Sequence, residues 1–227
     1  MMGAGMSELV LYTYWRSSSA YRVRIALAAK RLPYTSVAVN LLEGAQRSSE
    51  HLARSPMGHI PCLVLGGEAF IESVAIIELL EELHPDPPLL PSSRDPVGRA
   101  RVRALVEIVN AGTQPLQNLS VLQKLSPDHE VRKEWIQHFI AKGLAAFEAR
   151  MAAHEKLGVK GRFAYGDTLG MADCYLLPQV YNARRYAVDL GPFPRVAAAA
   201  EAIAATDAAR AAAPDAQPDA APDASPA

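Results

Sequence analysis

Tyr14-Trp15-Arg16-Ser17-Ser18-Ser19-Ala20-Tyr21-Arg22-Val23-Arg24-Ile25-Ala26-Leu27 joins two kinds of pattern in one stretch. Residues 9–14 are β-like. From near Ser18 to about Lys30 the apolar spacing is helical, with Val23, Ala26 and Leu27 on one face and Arg22 and Arg24 bracketing it. The serines fill the junction. Hydroxyls there lie beside free backbone N–H groups and the positive end of a helix, where an anion is stabilised. The same residues also describe an ordinary serine-capped helix, so the junction takes its meaning from the rest of the chain.

Arg31-Leu32-Pro33 ends the helix, and a second β-like run rich in valine and threonine covers 34–41. Strand, helix, strand is a right-handed βαβ unit with parallel strands. A short helix over 48–53 follows the polar loop 43–47. Ser55-Pro56-Met57-Gly58-His59-Ile60-Pro61 then turns into the apolar strand 62–65, Gly66-Gly67 reverses it, and 69–71 returns as a hairpin partner. Pro61 removes a ladder donor at the strand start and leaves room for an extended ligand backbone. Ile60–Pro61 is a candidate cis bond, although trans is the default for any X-Pro pair. Glu72-Ser73 opens a helix over 74–83 with Ala75, Ile76, Leu79, Leu80 and Leu83 as its apolar face. That pair reads either as a cap beside a solvated carboxylate or as a receptor for a ligand end carrying both ammonium and carboxylate.

His84-Pro85-Asp86-Pro87-Pro88-Leu89-Leu90-Pro91 cannot continue a helix and marks a boundary. The expected organisation is an α/β domain over 7–86, a linker over 87–96, an all-helical domain over 97–212 and a disordered Ala/Pro/Asp tail over 213–227. Residues 1–7 read as a flexible lead with Met6 as an alternative start. In the helical part Val102, Leu105, Val106 and Val109 form one stripe, and Ile136, Phe139, Ile140, Leu144 and Phe147 another. Between them Gly112 and Pro115 break the pattern at Gln114-Pro115-Leu116-Gln117-Asn118-Leu119-Ser120. Amides there either satisfy local backbone or face a ligand. Asp173 stands at the start of a buried helix over 174–181, with Gly170 in the cap position. One last helix is expected over 195–212.

Composition narrows the partners. In 227 residues the net charge is -1, which offers no field for nucleic acid or an anionic membrane. No apolar run is long enough to cross a bilayer, and the start lacks a basic-then-apolar leader, so a cytoplasmic protein with a small-molecule partner is expected. Cys62 and Cys174, far apart, provide neither a disulfide framework nor a multi-cysteine metal site; no metal is expected.

RSSSAYRVRIALAAK resembles the helix-one signature of zeta-class glutathione transferases, whose best-known members are maleylacetoacetate isomerases, with Ser19 where the family has cysteine. The Ile60-Pro61 turn, Glu72-Ser73 (usually Gln-Ser in the class), QPLQNLS and MADCYLLPQVYNARRYAVDL carry the same likeness along nearly the whole chain. The resemblance implies a thioredoxin-like domain followed by a helical glutathione-transferase domain, a homodimer, and reduced glutathione as cofactor. It implies that Ser17 stabilises the thiolate and that Ser18, Ser19, Ala20, Tyr21 and Arg22 complete the junction. Gln46, Ile60, Glu72, Ser73, Gln114, Asn118, Leu119 and Ser120 would hold the rest of the tripeptide. Arg16 and Arg185 would clamp a small dicarboxylate substrate, with Arg184 a surface residue.

The implied reaction is reversible thiolate addition to a conjugated cis double bond, rotation, and release of the trans isomer. Maleylpyruvate isomerases are the rival within the class; they carry a His and an Asn-Arg-Arg run at the kink, where this chain has Gln114 and Asn118-Leu119-Ser120. A non-catalytic binding module of the same fold would be marked by loss of the activating serine, and Ser17 is present.

Overall fold

The computed structural model describes residues 8–221, in two compact units. Residues 1–7 and 222–227, including the expected lead and the end of the tail, lie outside the described residues. The first unit opens with β1 (Leu9–Thr13), α1 (Ser18–Ala29) and β2 (Thr35–Ala38). A 3-10 turn, Ala45–Arg47, and α2 (Ser49–Arg54) lead to β3 (Cys62–Leu65), β4 (Glu68–Ile71) and α3 (Ser73–Leu83). The sheet order is β2-β1-β3-β4, with β1 parallel to β2 and antiparallel to β3. This is the expected thioredoxin-like arrangement. Gly66 and Gly67 have φ of 60° and 86°, and that pair of positive angles is what a tight two-residue reversal between β3 and β4 requires.

Helix α1 departs from the expected one-sided burial. Residues Ala20 to Leu27 are all buried, Arg22 and Arg24 included. The cause is α3 together with α9 (Asp207–Ala212), which packs on α1 although it lies at the other end of the chain. Residues 207–221 therefore group with the first unit rather than with the helical domain. Nor are residues 213–221 a structureless tail: Pro214–Ala216 is a 3-10 turn, Pro214 and Gln217 are buried, and Gln217 Nε2 donates to Ala211 O and Ala213 O at 3.1 and 2.9 Å. The 3-10 turn packs against α9.

Arg24 joins these parts. Its Nε donates to Ala212 O at 3.0 Å, Nη1 to Thr13 Oγ1 at 3.1 Å and Tyr14 O at 3.3 Å, and Nη2 to Trp15 O at 2.9 Å. A second buried cation, Lys30, closes α1 against α3: Nζ lies 2.6 Å from Glu81 Oε2 and donates to His84 O and Pro87 O. Consequently the buried face of α3 is Ser73, Ile76, Ile77, Leu80 and Glu81, while Ala75 and Leu83 are exposed. The helix is rotated from the expected face because Glu81 turns inward to meet Lys30.

The second unit, Pro88–Thr206, is helical: α4 (Pro96–Asn110), a 3-10 turn Gln114–Gln117, α5 (Leu119–Leu125), α6 (His129–Lys156), α7 (Met171–Arg185) and α8 (Pro194–Ala204). The last expected helix is thus two, α8 and α9, in different units. Leu89 and Leu90, expected in a linker, are buried, and Leu89 O accepts from Met171 N at 2.6 Å. Both predicted stripes are buried except Phe139, which is half-buried against Trp135, and Gly143 takes a core place. A Cβ on Gly143 would overlap the Thr113 side chain, so α6 and the turn after α4 meet only because that residue is glycine. Among the described residues no helix is long and apolar enough to cross a membrane.

At the start of α7, Asp173 is 1% exposed, and its carboxylate accepts from Ala164 N and Gly170 N, both at 2.8 Å. Gly170 can cap only through its backbone, so Asp173 alone supplies side-chain oxygens here. Burial pushes its carboxyl up to about 7, against the pull of those N–H groups.

Two outcomes follow for stability. Arg24→Met orphans buried carbonyls at the β1–α1 turn and should cost roughly 3 kcal/mol or more in denaturant unfolding. For Asp173, a folded carboxyl that titrates above its ordinary value of 3.8 binds its proton more tightly than the unfolded one. Its contribution is then full below pH 3.8 and is lost as pH rises through about 7. Urea unfolding of wild type and Asp173→Asn should show a stability difference that shrinks over that range; a flat difference would mean an ionised carboxylate throughout.

Candidate functional site

In the first unit the candidate residues converge on the starts of two helices. Ser17 is the N-cap of α1, extended at φ -66°, ψ 118°, with its Oγ accepting from Ala20 N at 3.2 Å. An acceptor lone pair serves the helix, and the hydroxyl hydrogen remains to donate outward. No acidic residue lies in the first turn, so the positive end of α1 is not neutralised from within. Ser17, Ser18 and Ser19 are half-buried, the open part of the junction. Ala20, Tyr21 and Arg22, which the resemblance assigns to the same junction, are buried, at 0, 5 and 1% exposure. Arg22 acts from beneath: its Nη1 donates to Ser73 Oγ at 3.1 Å and so ties the start of α3 to α1. Arg16 is 9% exposed, its guanidinium 5.4 Å from the centre of the Trp15 ring.

Glu72 precedes α3 at φ 67°, ψ 119°, a conformation that costs a non-glycine residue roughly 1–3 kcal/mol. Its carboxylate makes no capping bond to the helix and stays exposed. The Ile60–Pro61 bond is cis, and so is Asp86–Pro87. The turn ahead of Pro61 is set by α2: His51 Nε2 lies 3.0 Å from His59 O, and His59 N donates to Ser55 Oγ at 3.2 Å. Gln46 approaches Leu41 O through Nε2 at 3.5 Å, while its buried Oε1 has no protein partner. Cys62, just after Pro61, is buried and its thiol is pushed up by burial, so it is no source of thiolate.

The second unit holds the other candidates. Asn118 caps α5, its Oδ1 accepting from Ser120 N at 3.1 Å and from Ser120 Oγ at 3.0 Å. Both side chains are therefore engaged locally, while Gln114 and Leu119 are half-buried. The sequence reading missed Gln117, which shares amide contacts with Gln179 at 3.4 Å and Asn182 at 3.4 Å, and Trp135, whose Nε1 donates to Leu116 O at 2.9 Å. These fix the turn after α4 from α6 and α7; only the polar letters within the apolar run 174–183 hinted at it. Arg185, in the last turn of α7, is half-buried with its guanidinium 5.0 Å from the Tyr186 ring centre, and Arg184 is exposed. Among the described residues no group of three or more His, Cys, Asp or Glu is placed to hold a metal.

Residues 11–88 match the glutathione S-transferase N-terminal domain family. The maleylacetoacetate isomerase of Rhizobium meliloti (strain 1021) is 48% identical over 206 residues, 89% of this chain and 94% of that one. Among solved structures, a maleylacetoacetate isomerase from Anaeromyxobacter dehalogenans 2CP-1 with glutathione bound in its active site superposes with a TM-score of 0.84. It is 49% identical and covers 96% of this chain and 100% of its own. The holo structure of a maleylpyruvate isomerase, a bacterial zeta-class glutathione transferase, gives a TM-score of 0.89 at 42% identity, covering 93% of this chain and 100% of its own. With 42 to 49% identity to these proteins across almost the whole fold, the chain belongs to the zeta-class glutathione transferases, the family of the maleylacetoacetate isomerases.

Proposed function

We propose that this protein is a glutathione-dependent cis–trans isomerase that converts maleylacetoacetate to fumarylacetoacetate, a step of tyrosine and phenylalanine breakdown, with a secondary glutathione transferase activity. The observation that carries the reading is Ser17: a helix-capping hydroxyl with its hydrogen left to donate, at a helix end with no acidic residue in its first turn. When bound, glutathione supplies a thiolate nucleophile that adds reversibly to the conjugated double bond and is regenerated. Ser17 donates to the sulfur, and the Ser18 and Ser19 amides add the positive potential of the helix start.

The residues of the first unit suit such a tripeptide. Glu72 offers an uncommitted carboxylate to its ammonium, and the start of α3 beside Ser73 favours its α-carboxylate. Ile60 meets the cysteinyl backbone, and the buried, unpartnered Oε1 of Gln46 takes an N–H. Gln114, Asn118, Leu119 and Ser120 are retained as tripeptide contacts on the strength of the family likeness. Arg16 and Arg185 hold the two carboxylates of the substrate. A cytoplasmic homodimer completes the proposal, as in the family generally.

Maleylpyruvate isomerisation is the second reading, favoured by the TM-score of 0.89 to the isomerase of that substrate. Absorbance assays of both substrates with glutathione, for wild type and Ser17→Ala, decide between them. Maleylacetoacetate should turn over faster, and Ser17→Ala should lose about 10²-fold or more in kcat. Faster turnover of maleylpyruvate reverses the substrate assignment, and turnover of neither sinks the isomerase reading. Arg185→Ala should raise KM for the dicarboxylate about tenfold while leaving glutathione affinity unchanged, checked by steady-state kinetics and calorimetry.

A further inference from the structure

The turn that carries Ser17 is held by the end of the chain. Trp15 N donates to Asp219 Oδ2 at 3.0 Å, across 204 positions of sequence. The carbonyl of the same residue accepts from Arg24 Nη2 at 2.9 Å, and Arg24 Nε is anchored on Ala212 O at 3.0 Å. Tyr14 O accepts from both Arg24 Nη1 and Ser17 N, at 3.3 and 3.0 Å. Trp15 is thus gripped on its N–H by Asp219 and on its C=O by a guanidinium that α9 helps to place. The arm reaching Asp219 is itself pinned, since Gln217 bonds back to Ala211 and Ala213 and Ala220 N donates to Gln217 O at 3.0 Å.

We propose that Asp219 is a positioning residue for the reaction: by accepting the Trp15 N–H it sets the turn from which Ser17 projects, and so the direction of the Ser17 hydroxyl. The proposal rests on the reading of Ser17 as the donor to the thiolate. Asp219 works against its own charge here. A carboxylate beside an anion site disfavours a second anion, and Arg16 and Arg24 are the cations near the turn that offset it. Its value therefore lies in the acceptor oxygen, and charge and acceptor predict opposite effects on the thiol. Loss of charge alone favours the thiolate; loss of the acceptor loosens the turn and disfavours it.

The test uses the full-length chain with Asp219→Ala, Asp219→Leu, which keeps bulk, and Asp219→Asn, which keeps an acceptor without the charge. Three quantities are read: amide hydrogen exchange at Trp15, Arg16 and Ser17 without ligand, the ultraviolet thiolate absorbance of bound glutathione against pH, and kcat and KM for isomerisation. In Asp219→Ala and Asp219→Leu, exchange at the turn should quicken about tenfold, the thiolate titration should move to higher pH, and kcat should fall about tenfold with substrate KM unchanged. Asp219→Asn should restore slow exchange and wild-type kcat. The proposal is overturned if all three variants move the titration to lower pH together, or if exchange and kcat stay at wild-type values. Ser17→Ala runs alongside. If it keeps the thiolate and the rate, the reading of Ser17 falls and takes this proposal with it; if it loses both while Asp219→Ala does not, only the role of Asp219 falls.

Discussion

The buried guanidinium of Arg24 is the constraint on which the first unit depends. At 1% exposure it has left water, and a cation in that position is tolerated only where acceptors surround it. The carbonyls of Tyr14, Trp15 and Ala212 and the Thr13 hydroxyl are those acceptors. Meeting that demand sets the path of the chain between β1 and α1 and places α9 on the surface of α1. The turn ahead of Ser17 is in this way held from several sides at once. Lys30 and Glu81 repeat the device at the far end of α1, where a buried pair and two carbonyls orient α3 and with it Glu72 and Ser73.

The helical unit uses neutral groups for the same purpose. Gln117, Gln179 and Asn182 share one cluster of amides, and Trp135 ties the neighbouring carbonyl, so the break after α4 costs little unsatisfied backbone. Gly143 lets α6 close on Thr113. Asp173 sits between these modes. Its backbone N–H partners favour the anion, burial favours the acid, and the balance leaves its carboxyl titrating at about 7.

Much of the local geometry around the candidate site was legible because its signals are local. Ser17 caps a helix that starts one residue later, Gly66 and Gly67 turn a hairpin, and Glu72-Ser73 opens α3, each a matter of a few adjacent residues. Errors arose where a distant segment decides burial. Arg22 and Arg24 bracket an apolar helix face in the sequence, and only α3 and α9 bury them. Ala75 and Leu83 fit a helical stripe as well as Ile77 does, and only the inward turn of Glu81 toward Lys30 chooses the rotation. Residues 213–221 read as low complexity, since nothing within them could form a core, yet they need none when α9 and the β1–α1 turn give them partners.

By itself, then, the sequence determined the order of the elements from β1 to α3, the serine cap, the helical character of the second unit and the family to which the chain belongs. Short-range backbone chemistry and motif spacing settle such matters before any packing occurs. Only the tertiary structure decided that two arginines of α1 are buried, that α9 returns to the first unit, and that the carboxylate of Asp219 meets the amide of Trp15. Burial of a charge and capture of an N–H 204 residues away depend on which surfaces meet. No local pattern of residues encodes that meeting.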